Sequence, residues 1–263
     1  RTPELPIAAI VTGQAPATAV HYWQGARVKE LEGEEFSAFG VSKESGGVQV
    51  FEGTVGGIKT GDLIQAVNGQ PVKTLADLLR LQNAAAGQPL RIGIVRGQQP
   101  QTVRLESYTY VATATGQPTG GAAIRAITTR PETHNEPVAT LHDGKLAANY
   151  GPVFANGVVG GTYKVDLGTT VRVGSVTTWS HNRNGNRGAQ KFVLFGSRDA
   201  GKFTPIAEVD TTGQPAAEFT GITIRAAGGQ PLGEFRWLLW VTQPVTDLQE
   251  NTAFQEIEIS PAP

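Results

Sequence analysis

Cysteine and methionine are both absent from the 263 residues. Without cysteine there is no disulfide, no thiolate-bound zinc and no thiol nucleophile, although the compartment stays open. Without methionine, Arg1 is not a translation start, and the sequence is expected to be a piece of a longer protein. Charge is also scarce, at 17% of residues, and it balances to a net −1. A phosphate-held nucleic-acid partner is excluded, because no basic surplus exists to release counterions. No run of eighteen apolar residues occurs, so no helical membrane span is predicted. The fingerprints of phosphate loops and dinucleotide sites are missing as well.

What fills the composition is glycine and proline, 33 and 16 residues, beside 39% hydrophobic residues. Both punctuate turns, so the chain reads as mainly β, with many short strands. Residues 1–21 are rich in proline and alanine and read as a linker or the tail of a preceding domain. A first module spans 22–107, a low-complexity stretch over 108–123 reads as a linker that is in part strand, and a second module spans 124–263.

In the first module, Leu63–Val67 reads as a buried strand ended by an Asn68-Gly69 hairpin turn, whose residues accept positive φ. Thr74 is placed to cap a helix over Leu75–Leu81, with Leu75, Leu78 and Leu79 on one face. Leu90–Arg96 and Gln101–Leu105 are closing strands about a Gly97-Gln98-Gln99-Pro100 turn. The order of these pieces, from Gly57-Ile58-Lys59-Thr60-Gly61-Asp62-Leu63-Ile64 through Val67-Asn68-Gly69-Gln70-Pro71-Val72, resembles a PDZ domain of the bacterial, protease-associated type. One departure is Gly56-Gly57, where that family often has a longer Pro-Ala loop. The resemblance implies a partly open barrel that takes a peptide C-terminus as an added strand. Phe39, Gly40 and Val41 would form the carboxylate loop, and Leu75 and Leu79 the helix wall. A spacer with an empty groove is the alternative.

The second module shows short strands at regular spacing: TYKVDLG, VRVGSVTTWS, KFVLFGS, FTPIAEV, EFTGITI, EFRWLLWV and FQEIEI. Seven or more such strands predict a β-sandwich. Leu141-His142-Asp143-Gly144, Tyr163–Gly168, Val171–Val176, Gln190–Ser197, Phe235–Leu238 and Ala253–Ile259 together resemble the discoidin, or coagulation-factor 5/8 type C, family. That is a galactose-binding-like jelly roll which includes many carbohydrate-binding modules. The segment Tyr150–Gly161 departs from the family's usual Trp-containing stretch.

The resemblance implies a glycan site on loops at one end of the sandwich. Sugars need an apolar ring face and polar groups for their hydroxyls. Trp179, His181, Arg183, Asn184, Asn186 and Arg187 gather that chemistry in one loop, and the guanidinium forks suit an acidic sugar too. Strand alternation leaves Trp179 open between core and stacking face. Period two puts Trp237 and Trp240 on opposite faces, Trp237 assigned to the core and Trp240 to the surface near 249–251. The family often carries a structural calcium ion, and the matching positions are the Leu141 carbonyl, Asp143 and Glu256, although Lys145-Leu146-Ala147 stands where more oxygens are expected.

His134, His142 and His181, with Glu136 and Asp143, fall in loop-like sequence and lack the spacing of a helical metal motif. Ser197 is followed by Arg198, so no nucleophile elbow is formed. The expected protein is therefore a monomeric, non-catalytic accessory region of a larger carbohydrate-active enzyme, secreted or periplasmic. A peptide-dependent regulator and a structural spacer are the alternatives.

Overall fold

The computed structural model describes residues 20–183, 185–213, 217–243 and 251–263. These form two compact units, one of 20–110 with 226–229 and one of 111–225 with 230–263. Both are mainly β, with sandwich-like sheets in the second.

The first unit runs β1 (His21–Trp23), β2 (Ala26–Glu30), α1 (Glu35–Phe39), β3 (Val48–Glu52), β4 (Thr54–Val55), β5 (Ile58–Lys59), β6 (Leu63–Val67), β7 (Gln70–Pro71), α2 (Leu75–Ala84), β8 (Leu90–Arg96) and β9 (Gln99–Leu105). Its antiparallel sheet has the order β1-β2-β3-β6-β8-β9, with β7 paired to β6. Asn68 and Gly69 have φ 51° and 81°, the pair of positive values that a two-residue hairpin turn matching strand twist requires. The next hairpin is tighter than its sequence suggests. Gly97 and Gln98 make the whole turn, and Pro100 already pairs with Val95 on the edge strand, where its missing N–H costs no ladder bond. Thr74 caps α2: its hydroxyl accepts from the Asp77 N–H at 3.2 Å, and the Asp77 carboxylate accepts from the Thr74 N–H at 3.3 Å.

Below β6, the buried carboxylate of Asp62 takes a two-pronged grip from Arg96, at 2.7 and 2.6 Å. Burial alone would raise its pKa. The Arg96 fork and the Lys59 N–H outweigh that and hold the carboxyl below its usual range.

The predicted peptide groove is not assembled by the residues assigned to it. Leu75 and Leu79 are buried in the main core with Ile64 and Ile94. Phe39 and Val41 pack instead on a small cluster of Leu31, Leu63 and Val95. Leu63 and Ile64 are neighbours on one strand, as are Val95 and Ile94, so the two clusters lie on opposite faces of the sheet. Gly40, at φ 68°, is the left-handed C-cap of α1, its N–H bonded back to that helix. Its glycine is thus explained by helix termination.

The chain continues with β10 (Thr109–Thr113), which starts at the unit boundary, and in the second unit β11 (Ala126–Arg130), β12 (Thr133–Asn135), β13 (Pro152–Phe154), β14 (Thr162–His181), β15 (Lys191–Ser197), β16 (Thr204–Asp210), β17 (Phe219–Ala226, its last residue at the boundary), β18 (Gly233–Thr242) and β19 (Phe254–Pro261). The two predicted strands TYKVDLG and VRVGSVTTWS are one twenty-residue strand, β14. Its first part pairs with β11 and β18, its second with β17 and β19. One strand therefore joins both layers, with an irregularity between Asp166 and Val171 where Gly168 takes φ 76°. Between the layers lie Val165, Val176, Phe192, Leu194, Ile222, Ile224, Leu238, Trp240, Ile257 and Ile259.

The assignment of the two β18 tryptophans is reversed. Trp240 is fully buried and in the core. Trp237 is half-buried on the outer face, with Lys164 Nζ 4.5 Å and the Arg236 guanidinium 5.0 Å from its ring centre. Period two was right about opposite faces. It could not say which face was covered, because that depends on the second sheet.

Candidate functional site

β14 ends at His181, and the segments that close over this end come from 149–151, 182–183, 185–190, the start of β17 and 251–254. Trp179 does not offer a stacking face here. It is 5% exposed, and in register it sits opposite Gly221 on β17, where an added Cβ would stand 2.8 Å from the indole nitrogen. Gly221 is the slot that admits the indole between strands.

Two positions later His181 is also buried, at 3% exposed, and its Nδ1 has no hydrogen-bond partner. The ring stands in an aromatic row. Tyr150 lies 6.3 Å and Phe219 5.4 Å from its centre, both tilted and both half-buried. Two guanidiniums face the Tyr150 ring, Arg187 at 5.2 Å and Arg183 at 5.9 Å from its centre. These distances are in the range of cation–π attraction. Arg183 is exposed, whereas Arg187 is buried and donates to the Asn251 carbonyl at 3.3 Å and to Asn156 Oδ1 at 3.0 Å. Asn186 N–H closes back on the Arg183 carbonyl at 3.1 Å across Gly185, which takes φ 82°. Asn184 lies outside the described residues.

Of the sequence-predicted residues, His181, Arg183, Asn186 and Arg187 come together and Trp179 is withdrawn into the fold. Tyr150 and Phe219 were not predicted. The signal for Tyr150 was present as the departure at Tyr150–Gly161, where an aromatic residue stands at the edge of an otherwise unmatched segment. Its turn is pinned from several sides. Asn149 Oδ1 accepts from the Gly151 N–H at 2.7 Å, Gln255 donates to the Asn149 carbonyl at 2.9 Å, and Asn135 donates to the Gly151 carbonyl at 3.1 Å. Gly151 has φ 54°, and a Cβ there would meet the Phe254 carbonyl oxygen at 2.3 Å. Only glycine allows this approach.

The positions matched to calcium lie in the same unit, with Glu256 opposite Trp179 in the pairing of β19 with β14. Leu141 closes a 3₁₀ turn and is buried, Asp143 is exposed, and Glu256 is 1% exposed. The Gly144 N–H reaches Glu256 Oε2 at 3.2 Å, and His142 Nδ1 stands 3.9 Å from Oε1. Burial first, and the nearby Asp143 charge in addition, push the Glu256 carboxyl up to about 7. Two acids and a carbonyl are the hard oxygen donors that calcium takes, and the crowded negative charge is what a cation would relieve. Among the described residues, no group of three or more His, Cys, Asp or Glu side chains converges on one point, so a complete site must draw on backbone oxygens and water.

No protein-family model matches the sequence, and no curated protein does. Among solved structures the chain is similar to CBM32-1 from a family 31 glycoside hydrolase of Clostridium perfringens, at 12% identity and TM-score 0.36, over 52% of this chain and 94% of that one. It is similar to the CBM32 of AlyQ in complex with 4,5-unsaturated mannuronic acid, at 22% identity and TM-score 0.38, over 52% and 95%. It is also similar to the lectin domain of lectinolysin complexed with Lewis B antigen, at 16% identity and TM-score 0.38, over 52% and 93%.

Proposed function

We propose that the second unit binds a glycan at the end of β14, and that the chain is a non-catalytic accessory region of an exported carbohydrate-active enzyme. The observation that carries this is the row Tyr150–His181–Phe219 with two arginines over its outer ring. Half-exposed rings supply the apolar face a pyranose needs. Arg183 and Asn186 supply hydrogen-bonding groups at its edge, and His181 Nδ1 keeps an unspent one at the base. Such a module raises the local concentration of polymer around a tethered catalytic domain, so modest affinity is enough.

A glycan array followed by calorimetry tests the reading. Tyr150→Ala should weaken the best ligand about tenfold, the worth of one stacked aromatic contact, while Tyr150→Phe keeps most of the affinity. An array without a single bound glycan, or an unchanged Tyr150→Ala protein, would overturn it.

A structural calcium ion held by the Leu141 carbonyl, Asp143 and Glu256 is part of the same proposal, supported by the buried, charge-crowded Glu256 carboxyl. Peptide capture by the first unit has the weaker support. β1 is terminal in the sheet order, which suits strand addition, but the residues expected to hold the peptide's carboxylate lie across the sheet from the helix wall. Titration with free and amidated C-terminal peptides separates that role from a spacer.

A further inference from the structure

We infer that the glycan taken at the Tyr150 site is anionic, with a sugar carboxylate lying against the Arg183–Arg187 pair. The inference rests on the glycan-binding reading above and adds the ligand's charge to it.

The argument starts from Arg187. Its guanidinium is always charged, and the residue is only 9% exposed. Charges in such positions are normally met by an opposite charge, because desolvation of an ion is costly and neutral dipoles offset it poorly. Here both mapped hydrogen-bond acceptors are neutral: a backbone carbonyl, that of Asn251, and an amide oxygen, that of Asn156. Among the described residues neither Arg187 nor Arg183 is in an ion pair, unlike Arg27, Arg80, Arg96, Arg104, Arg198 and Arg236. The unit does pair arginine with carboxylate where the role is structural, as at Arg236 and Asp166, 2.9 Å apart.

The second guanidinium lies against the same ring. Arg183 and Arg187 are 5.9 and 5.2 Å from the centre of Tyr150, so two like charges share one small neighbourhood. The electron-rich ring face lowers the cost of that arrangement without cancelling it. Among the described residues the nearby acids do not neutralise it. Glu136 accepts from Asn149 Nδ2 at 3.2 Å on the inner side of the turn, and Glu218 is exposed and meets the loop through its backbone carbonyl, 2.7 Å from the Asn182 N–H. The partner that the described residues do not supply is then a carboxylate of the ligand. Arg183, exposed and on the hairpin tip, is free to swing onto it with a planar fork that fits a carboxylate in two-point fashion. The unpartnered Nδ1 of His181 under the same ring leaves one more group to be satisfied when the site fills.

The test compares an oligogalacturonate and an oligoglucuronate with their methyl esters, which keep ring and length and mask the charge. A neutral galacto-oligosaccharide and its sulfated form complete the set. Calorimetry on the whole chain at 50 and 300 mM NaCl reads the affinities. At least one uronate should bind ten times or more tighter than its ester at low salt, and the ratio should shrink at high salt. Arg183→Gln should bring the acid-to-ester ratio near one. Arg187→Lys, which keeps the buried charge and loses the fork, should lower the ratio with an unfolding midpoint within a few degrees of the parent. Esters that bind as well as acids overturn the inference and leave the glycan reading standing. A sulfated sugar preferred over both uronates overturns the carboxylate assignment. A chain that binds neither acids, esters nor neutral sugars overturns the glycan reading along with it.

Discussion

Glu256 shows how one side chain on a β-strand becomes unusual through its surroundings alone. In the sequence it is one acid in FQEIEI, the alternating strand Phe254–Ile259. In the fold it is buried, bonded to the Gly144 N–H and close to Asp143, and its carboxyl rises from an ordinary 4.5 to about 7. The folded state then holds a proton that the unfolded state has released. Its contribution to stability is complete below about 4.5 and is lost as pH rises through 7. In a chelator, the thermal midpoint should fall by several degrees between pH 5 and pH 8, and Glu256→Gln should flatten that slope. The scale is about 2 kcal/mol. Thermal unfolding in buffers with EDTA reads it directly, and an unchanged slope in the variant would remove Glu256 as the cause. Gly151 offers a second residue-level expectation. Gly151→Ala forces a Cβ against the Phe254 carbonyl in a left-handed conformation. It should cost about 1–3 kcal/mol and weaken glycan binding by displacing the adjacent Tyr150. A crystal structure of the variant would show the shifted turn.

At the level of elements, helix α2 and strand β8 illustrate what local pattern can and cannot determine. The cap at Thr74 and the leucine face of α2 were legible because both depend on spacing within one turn of helix. Thr74→Ala should cost about 1 kcal/mol, seen as a lower urea midpoint with unchanged slope. The Arg96 grip on Asp62 was not legible, since thirty-four positions separate the partners. Asp62→Asn should lower the urea midpoint, because it leaves the Arg96 guanidinium without its charged partner. With the Asp62 carboxyl held low, this pair stabilises the fold above its ordinary value of 3.8 and ceases to do so as pH falls below it. Hydrogen exchange at β6 and β8, compared at pH 3 and pH 6 after correction for intrinsic rates, reports the loss. The strand β14 carries the opposite lesson. Its two halves each alternate well enough to be found, yet their fusion into one strand shared by two layers follows from pairing with β11, β18, β17 and β19.

For the whole molecule, the lack of cysteine means that reductants should leave the unfolding midpoint unchanged. Calcium should raise it if Glu256 and Asp143 hold the ion, by RT ln(1 + [Ca²⁺]/Kd), which is about 2.7 kcal/mol at a hundredfold excess over Kd. Calorimetric scans at increasing calcium check this, and a midpoint indifferent to calcium at neutral pH would remove the ion from the proposal. None of the described helices is long and apolar enough to cross a membrane. By itself the sequence determined the mainly β class, the turns at Asn68-Gly69 and the capped helix, because these follow from φ preferences and from periods of two and 3.6 within short windows. It also placed Arg183, Asn186 and Arg187 together in the stretch that follows β14. Only the tertiary structure decided which tryptophan is covered, since Trp179, Trp237 and Trp240 all alternate acceptably and burial comes from the facing sheet. Only it placed Phe39 and Val41 across the sheet from Leu75 and Leu79. And only it brought Tyr150 and Phe219, from segments far apart in the chain, against His181, because contacts at the end of a sandwich are made where separate loops converge.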